Sequence, residues 1–236
     1  MPFFPQFSNL FVAPYIPPAP ISPINPNEIL NLALWLKSDV GVSYDENNLV
    51  TLWEDQSGNG LDASPPSEEH RPEYIEDFIN GNPAIYFDGT DYLTFSYTSG
   101  SEYTFFNVVK FISGNRVISS VNTNVLIGSY DGFSDVVYGG GAWVYQGTST
   151  STDWKLNALT KTSGNLSSFY QNSILLGSAS QSSVLDTVAI GGDPNWENGN
   201  GTAECYHAEI VIYDRVLTEN ELAGISLYFN NKYAIY

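Results

Sequence analysis

The sequence feature that most constrains the fold is a series of short apolar segments separated by turn residues. The segments span residues 32–36, 49–53, 84–87, 103–112, 154–159 and 206–212. Turn signals such as Asn59-Gly60, Asn80-Gly81 and Asp88-Gly89 lie between them. Many short strands joined by Gly/Asn turns are typical of a β-sandwich or barrel. The sequence therefore predicts an all-β domain, and we find no internal repeat of fixed period.

Two of these segments indicate how the strands are placed. Residues 103–112 are apolar on both faces apart from Asn107 and Lys110, as expected for a central strand between two layers. Residues 206–212 alternate, and their even positions are predicted to point inward, which places His207 on the outward side.

One helix is predicted near the C-terminus. Residues 218–221, Thr-Glu-Asn-Glu, fit a capping box, in which a Thr hydroxyl and a Glu side chain satisfy free backbone amides. Leu222, Ile225 and Phe229 follow at helical spacing and form one apolar face. We expect this helix to pack on the sandwich and to end near residues 230–231.

The first 27 residues differ in composition from the rest of the chain. They carry no charged side chain and hold eight of the 13 prolines, which favours extended polyproline-like segments. They also carry five large aromatic side chains: Phe3, Phe4, Phe7, Phe11 and Tyr15. An exposed Phe forfeits about 2 kcal/mol of burial, so we expect a docking arm over residues 1–28, followed by a sandwich domain over 29–236. The arm either wraps over its own domain or docks on a neighbouring subunit or larger assembly.

Charge and cysteine content exclude several classes of function. The chain has 8 Lys and Arg against 26 Asp and Glu, a net charge of −18, so nucleic acid and anionic membranes are poor partners. Cys205 is the only cysteine, which excludes an intramolecular disulfide. No apolar stretch approaches the ~18 residues of a membrane span. The N-terminus lacks the basic and apolar regions of a signal peptide.

Two acidic turn segments have a structural and a functional interpretation. Trp53 is expected in the core, with Asp55 and Ser57 organising the turn that follows it. Asp88 and Asp91, in Phe-Asp-Gly-Thr-Asp, either form a turn or supply oxygen ligands for Ca²⁺.

Carbohydrate binding needs exposed aromatic rings beside amide and carboxylate groups. Trp143 and Tyr145 follow a triple glycine and are candidates, although sheet packing would equally explain them. Trp196 lies in a polar loop with Asp193 and Asn195, and we expect it to be the better candidate for contact with a glycan.

The order of these motifs resembles the concanavalin A-like lectin/glucanase superfamily in its laminin-G-like form. The matching segments, which run from Leu34 to Tyr233, are Leu-Trp-Leu-Lys-Ser-Asp (34–39), Trp-Glu-Asp-Gln-Ser-Gly-Asn-Gly (53–60), Pro-Ala-Ile-Tyr-Phe-Asp-Gly-Thr-Asp-Tyr-Leu (83–93), Ile-Gly-Gly (190–192) and the final strand and helix (208–233). The resemblance implies a two-sheet jelly-roll sandwich with a short C-terminal helix. Laminin-G-like members often bind calcium at a rim of the sandwich.

Catalysis is not expected. The glucanases of this superfamily carry Glu-x-Asp-x-x-Glu, which this chain lacks. No signature places His70 or His207 beside a nucleophile. Cys205 and His207 are two residues apart on one strand face, and we interpret this spacing as coincidence and not as a thiol–imidazole pair.

Three functional hypotheses remain. The first is a virion subunit of a bacterial virus, in a capsid decoration, head-fibre or tail-associated role, anchored through the arm to capsid or tail proteins or to copies of itself. Such a protein would be made in the host cytoplasm without export, would form a homo-oligomer and would display the lectin-like sandwich on the virion surface. The second is a free, extracellular carbohydrate-binding lectin, and the third is a glycan hydrolase or lyase. A glycan array and a depolymerisation assay distinguish them.

Overall fold

The computed structural model describes residues 20–196 and 201–236, without the side chain of Trp196. Within those residues the elements are β1 (Leu32–Lys37), β2 (Val42–Tyr44), β3 (Val50–Trp53), β4 (Glu73–Ile79), β5 (Asn82–Asp88), β6 (Leu93–Thr98), β7 (Tyr103–Gly114), β8 (Ile118–Ser120), β9 (Val125–Tyr130), β10 (Phe133–Gly139), β11 (Trp143–Gln146), β12 (Trp154–Lys161), β13 (Leu166–Gln171), β14 (Ile174–Ser180), β15 (Asp186–Ile190), β16 (Ala203–Tyr213) and α1 (Glu219–Tyr233). Short 3₁₀ turns lie at Pro26–Glu28, Glu68–His70 and Pro194–Trp196. No helix among the described residues is long and apolar enough to cross a membrane.

Two antiparallel sheets form the sandwich that the sequence predicts. The eight-stranded sheet has the order β14-β13-β12-β7-β16-β5-β4, and β1 pairs with the second half of β16. The six-stranded sheet has the order β11-β10-β9-β8-β15-β6, and β2 and β3 form a separate hairpin. The predicted central strand, β7, lies between β12 and β16, as expected from its apolar residues on both faces.

The main core lies between the two sheets. Leu34, Phe87 and Phe105 of the larger sheet pack in one cluster with Ile127 and Val188 of the smaller sheet, and all five are buried. Burial of side chains of this size contributes about 1.5–3 kcal/mol each, so this layer supplies much of the driving force for folding.

Strand β16 corrects the predicted alternation. A β-bulge lies between His207 and Glu209, and an extra residue in a strand reverses which face the following side chains occupy. Ile210 and Ile212 point inward as predicted. Tyr206, however, lies half-buried on the outer face, and His207 is completely buried. The outward placement of His207 was therefore wrong.

The turn after β3 has the predicted structure. Trp53 is completely buried. Asp55 Oδ1 accepts hydrogen bonds from the backbone N–H groups of Ser57 and Trp35, both at 2.9 Å, and Asp55 Oδ2 accepts from Ser57 Oγ at 2.7 Å. One carboxylate thus ties this turn to β1, which confirms its organising role.

Helix α1 has the predicted capping box and packs on the outer face of the larger sheet. Thr218 Oγ1 accepts from the Glu221 backbone N–H, and Glu221 Oε2 accepts from the Thr218 backbone N–H. Ile225 and Phe229 are buried in a second cluster against this sheet. The helix continues to Tyr233, slightly beyond the predicted end.

The end of the predicted arm lies against the domain. The Ile24 N–H donates to the carbonyl of Gly224 at 3.0 Å, and Tyr213 Oη donates to the carbonyl of Pro26 at 2.9 Å. The aromatic residues of the predicted arm, Phe3, Phe4, Phe7, Phe11 and Tyr15, lie outside the described residues.

Candidate functional site

The outer face of the larger sheet is divided into a covered half and an open half. Helix α1 covers one half, where Phe106 and Val211 of the sheet are buried against Phe229. On the other half, Phe78 is 36% exposed and Tyr206 is partly exposed. Helix α1 therefore leaves both rings partly exposed to solvent.

Strand register places a row of side chains across this open half. Glu73 of β4 pairs with Tyr86 of β5, and Tyr86 pairs with Tyr206 of β16. Tyr206 pairs with Lys110 of β7, which in turn pairs with Trp154 of β12. The five positions cross four inter-strand spacings, or about 19 Å at ~4.8 Å each. The row is therefore long enough for an extended ligand.

Phe78 joins this row because of an irregularity in β4. The register between β4 and β5 shifts between Ile75 and Ile79, and Asp77 in that interval has a φ of 49°. The Phe78 ring stacks on Tyr206 with centroids 4.3 Å apart and meets Trp154 edge-on at 6.2 Å.

Tyr86 completes the aromatic group, with its ring centroid 4.7 Å from that of Tyr206. We refer to Phe78, Tyr86, Trp154 and Tyr206 as the aromatic face. Lys110 Nζ lies 5.8 Å from the Phe78 centroid, within the range of a cation–π contact.

Hydrogen bonds fix polar groups at the edge of the aromatic face. Glu204 Oε1 accepts from Tyr86 Oη at 3.0 Å, and Glu204 Oε2 accepts from Ser113 Oγ at 3.2 Å. Desolvation, followed by the bond to Glu204, raises the pKa of Tyr86 to about 12. Desolvation and the nearby charges of Glu204 and Glu73 also raise the pKa of Tyr206. Both phenols are therefore neutral near pH 7.

The loop that was predicted to bind glycan contains a buried ion pair. The Asp193 side chain is fully buried, and its Oδ2 lies 3.4 Å from Arg116 Nη1. Burial raises the pKa of Asp193 and lowers that of Arg116, while their mutual attraction opposes both shifts. Asp193 Oδ1 accepts from the Asn195 N–H at 3.0 Å. The carboxylate of Asp193, a predicted glycan contact, thus pairs with Arg116 inside the domain.

Asn195 remains exposed, and its side-chain amide donates to the carbonyl of Val121 at 3.0 Å. The side chain of Trp196 lies outside the described residues. A role of this loop in binding glycan stays a prediction.

Trp143 and Tyr145 have different surroundings. Trp143 packs against Tyr130 and Tyr138, with centroid distances of 5.7 and 5.1 Å. Tyr145 instead packs against Phe169, 6.2 Å away, at the edge of the main core. Both rings are half-buried, and a role of either in binding glycan stays a prediction.

Asp88 and Asp91 form a turn. Asp88 Oδ1 accepts from the N–H and Oγ1 of Thr90, both at 2.8 Å, and Asp91 Oδ2 accepts from the Asp88 N–H at 3.3 Å. Burial alone would raise the pKa of Asp88, but its hydrogen bonds lower that pKa. For Asp91, burial and the nearby charge of Asp88 raise the pKa to about 7. No group of three His, Cys, Asp or Glu side chains in the described ranges is arranged to hold a metal. Calcium binding here stays a prediction.

Cys205 and His207 are both completely buried on β16. Burial raises the pKa of the Cys205 thiol well above its usual range. Burial lowers the pKa of His207 to about 3, and the backbone of Val117 opposes this only weakly. The thiol is therefore protonated and inaccessible, as is typical of a structural cysteine.

The residues of the aromatic face were not singled out from the sequence. Tyr206 was assigned to the inward face, Trp154 and Tyr86 were treated only as strand residues, and Phe78 was not considered. Bulky aromatics at the ends of three separate segments were the available signal, but their register is visible only in the fold.

Comparison with solved structures identifies similar β-sandwich domains. Domain 4 of AbnA, a GH43 extracellular arabinanase from Geobacillus stearothermophilus solved in complex with arabinotriose, has a TM-score of 0.58 at 15% identity, over 83% of this chain and 98% of that domain. Trypanosoma rangeli sialidase in complex with sialic acid has a TM-score of 0.56 at 14% identity, over 89% of this chain and 36% of the sialidase. Botulinum neurotoxin type C, whose cell entry is described as dependent upon interaction with two ganglioside molecules, has a TM-score of 0.56 at 13% identity, over 86% of this chain and 52% of that chain.

These comparisons show the fold and not the family. The chain matches nearly all of the arabinanase domain but only about half or less of the other two chains. No protein-family model matches the sequence, and no curated protein sequence matches it. The two-sheet sandwich with a short C-terminal helix is confirmed, whereas the lectin superfamily and its laminin-G-like form stay predictions.

Proposed function

We propose that this chain is a non-catalytic carbohydrate-binding domain whose ligand lies across the aromatic face. The observation that carries the proposal is the registered row from Tyr86 through Tyr206 and Lys110 to Trp154, left open beside helix α1. Tyr and Trp combine a large apolar ring with a polar edge, which suits the mixed apolar and hydroxyl surface of a sugar. Two of the structural neighbours are described with arabinotriose and with gangliosides, which supports the same class of ligand.

The charge distribution favours neutral glycans. The chain carries a net charge of −18, and Glu73 and Glu204 lie beside the two tyrosines. The negative charge of the domain would repel an anionic sugar. Lys110 is the cation within the row. Binding by one domain is expected to be weak, so several copies would gain from avidity.

The test is a glycan array followed by titration of the wild type and single variants with the best neutral hit, using arabinotriose as a defined first probe. Tyr206→Ala should weaken binding about tenfold, which corresponds to ~1.4 kcal/mol. Trp143→Ala, in the other aromatic group, is the matched control and should bind like the wild type. Loss of binding in Trp196→Ala but not in Tyr206→Ala would move the site to the loop. An array without any bound glycan would reject carbohydrate binding.

One observation favours a hydrolytic alternative. Glu73 and Glu204 are two carboxylates beside the same aromatic face, and glycoside hydrolysis uses such a pair. Both oxygens of Glu204 already accept hydrogen bonds, so we infer that this residue has a binding role. Release of reducing ends from a bound polysaccharide, abolished by Glu204→Gln, would establish hydrolysis and overturn the non-catalytic proposal.

Display of the domain on a virion is a further proposal, which rests on the composition of the first 27 residues. In that setting the arm would not lie on its own domain but would anchor the sandwich to a capsid or tail protein, or to further copies of the chain. Removal of residues 1–19 should then prevent incorporation into particles without affecting glycan binding. Unchanged incorporation would contradict the anchoring role.

A further inference from the structure

An apolar groove of about 280 Å³ lies between helix α1 and the larger sheet. The helix contributes Leu222 and Ala223 to its lining, and the sheet contributes Leu156, Tyr170 and Leu175. Leu175 is 53% exposed and the adjacent Ile174 is 64% exposed. Contiguous apolar surface open to water is typical of a site that another segment covers.

Ile24, near the start of the described chain, contacts this same helix, whereas residues 20–23 before it are exposed. The Ile24 N–H donates to the Gly224 carbonyl, and the Ile24 side chain occupies the space that a Cβ on Gly224 would need. Gly224 directly follows Ala223, a groove residue. Residues 1–19 therefore connect to a segment that is already fixed on α1.

The sequence leading to Ile24 has a period of three. Prolines occur at positions 14, 17, 20, 23 and 26, and Tyr15, Pro18, Ile21 and Ile24 form a second series with the same spacing. A polyproline II helix has three residues per turn, so each series corresponds to one face. Asn25 has φ −71° and ψ 137°, close to polyproline II values. Ile21, one member of the series that includes Ile24, is 45% exposed, so the described part of this apolar series is only partly covered.

We propose that residues 1–19 of the same chain occupy the groove beside α1. These residues carry no charge and include five aromatic side chains, which matches an apolar lining. Nineteen extended residues reach roughly 60 Å at ~3.1 Å per residue, whereas a helix is only ~10–12 Å wide. A tether of this kind gives an effective concentration in the millimolar range, which favours the groove of the same chain over that of a second copy.

Disulfide trapping in the full-length chain tests this assignment. Ser8→Cys or Ala13→Cys is combined with Ala223→Cys in the groove, and the native Cys205 does not compete because it is completely buried. The control combines the same arm cysteine with Ser96→Cys, which is exposed on the smaller sheet. At least one groove pair should form an intramolecular disulfide about tenfold or more faster than its control, and circular dichroism verifies that each variant is folded.

Two outcomes would overturn the proposal. Equal rates for groove and control pairs would show that the arm has no preference for the groove. Rapid formation of disulfide-linked dimers, at a rate that rises with protein concentration, would assign the groove to the arm of a second copy.

Discussion

The two halves of the outer face of the larger sheet use the same strands for opposite purposes. In the covered half, Phe106 and Val211 are completely buried by Ile225 and Phe229 of helix α1. In the open half, the sheet presents large aromatic rings that helix α1 does not cover, although Phe78 of β4 stacks on Tyr206. The same sheet face is therefore core where the helix lies on it and surface elsewhere. The side chains in each half match that environment.

Polar groups also differ between the two halves. Under the helix, Glu209 is completely buried but fully paired: Oε1 accepts from Trp35 Nε1 at 2.5 Å and Oε2 accepts from Tyr233 Oη at 2.7 Å and Lys232 Nζ at 2.8 Å. In the open half, Glu204 keeps a partly exposed carboxylate at the edge of the rings. The first arrangement stabilises a buried charge, whereas the second leaves polar groups within reach of a ligand.

Truncation of one Phe in each half is the most direct test of the difference between the covered and the open half. Phe229→Ala should lower the free energy of unfolding by about 4 kcal/mol because it leaves a cavity in the covered half. Phe78→Ala should cost less, about 1–2 kcal/mol, because this ring is only partly buried and stacks on Tyr206 at the surface. Urea denaturation followed by circular dichroism measures both. Similar losses would show that the open half is also structural.

Removal of the buried charge should have the next largest effect. Glu209→Gln is expected to destabilise the protein by about 3 kcal/mol because Lys232 loses its buried partner. Glu76→Gln, an exposed carboxylate on β4, is the control and should change stability by less than ~0.5 kcal/mol. If the two variants denature alike, Glu209 does not anchor the helix.

A fall in pH should lower the stability of the fold through His207 of β16 but not through the adjacent Tyr206. The pKa of His207 is lowered to about 3 in the fold, so its stabilising contribution is complete above the unfolded pKa of about 6.5 and is lost as the pH falls. Between pH 6.5 and 4.5 this group should remove about 2–3 kcal/mol, at ~1.4 kcal/mol per pH unit. Comparison of denaturation midpoints should show a flatter pH dependence for His207→Leu. The neighbouring Tyr206→Leu should keep the wild-type slope, and a parallel profile for His207→Leu would contradict the assignment.

The smallest effect concerns the start of the helix that creates the covered half. Thr218→Ala removes the hydroxyl that accepts from the Glu221 N–H and should cost about 1 kcal/mol. Thermal denaturation should show a modest drop in Tm, with glycan binding at the aromatic face unchanged. Thr148→Ala, in an exposed loop, serves as the reference and should leave Tm unaltered.

The parts of the fold that depend on local sequence could be predicted. Strands such as β7 follow from apolar runs bounded by turn residues, and α1 follows from the Thr218 and Glu221 capping box. The turn at Asp55 follows from side chains that bond to neighbouring backbone groups. These features are local, so the residues that cause them are close together in the sequence.

The candidate site depends on register between distant strands, which local sequence does not specify. Tyr86 and Tyr206 meet only because β5 pairs with β16, and Tyr206 faces outward only because of the bulge after His207. Phe78 depends on a second bulge in β4. The buried pair of Asp193 and Arg116 similarly joins positions 77 residues apart, so the local sequence does not show that the Asp193 carboxylate is buried.

The registered row has a consequence for how this domain could diversify. Its members occupy outward positions on five strands, while their immediate neighbours Ile85, Val109 and Cys205 point into the core. Substitutions at positions 73, 86, 110 and 206 would therefore alter recognition one strand at a time, whereas Trp154 also packs against the cluster under α1. A combinatorial library limited to those four codons would sample new ligand preferences on an unchanged scaffold.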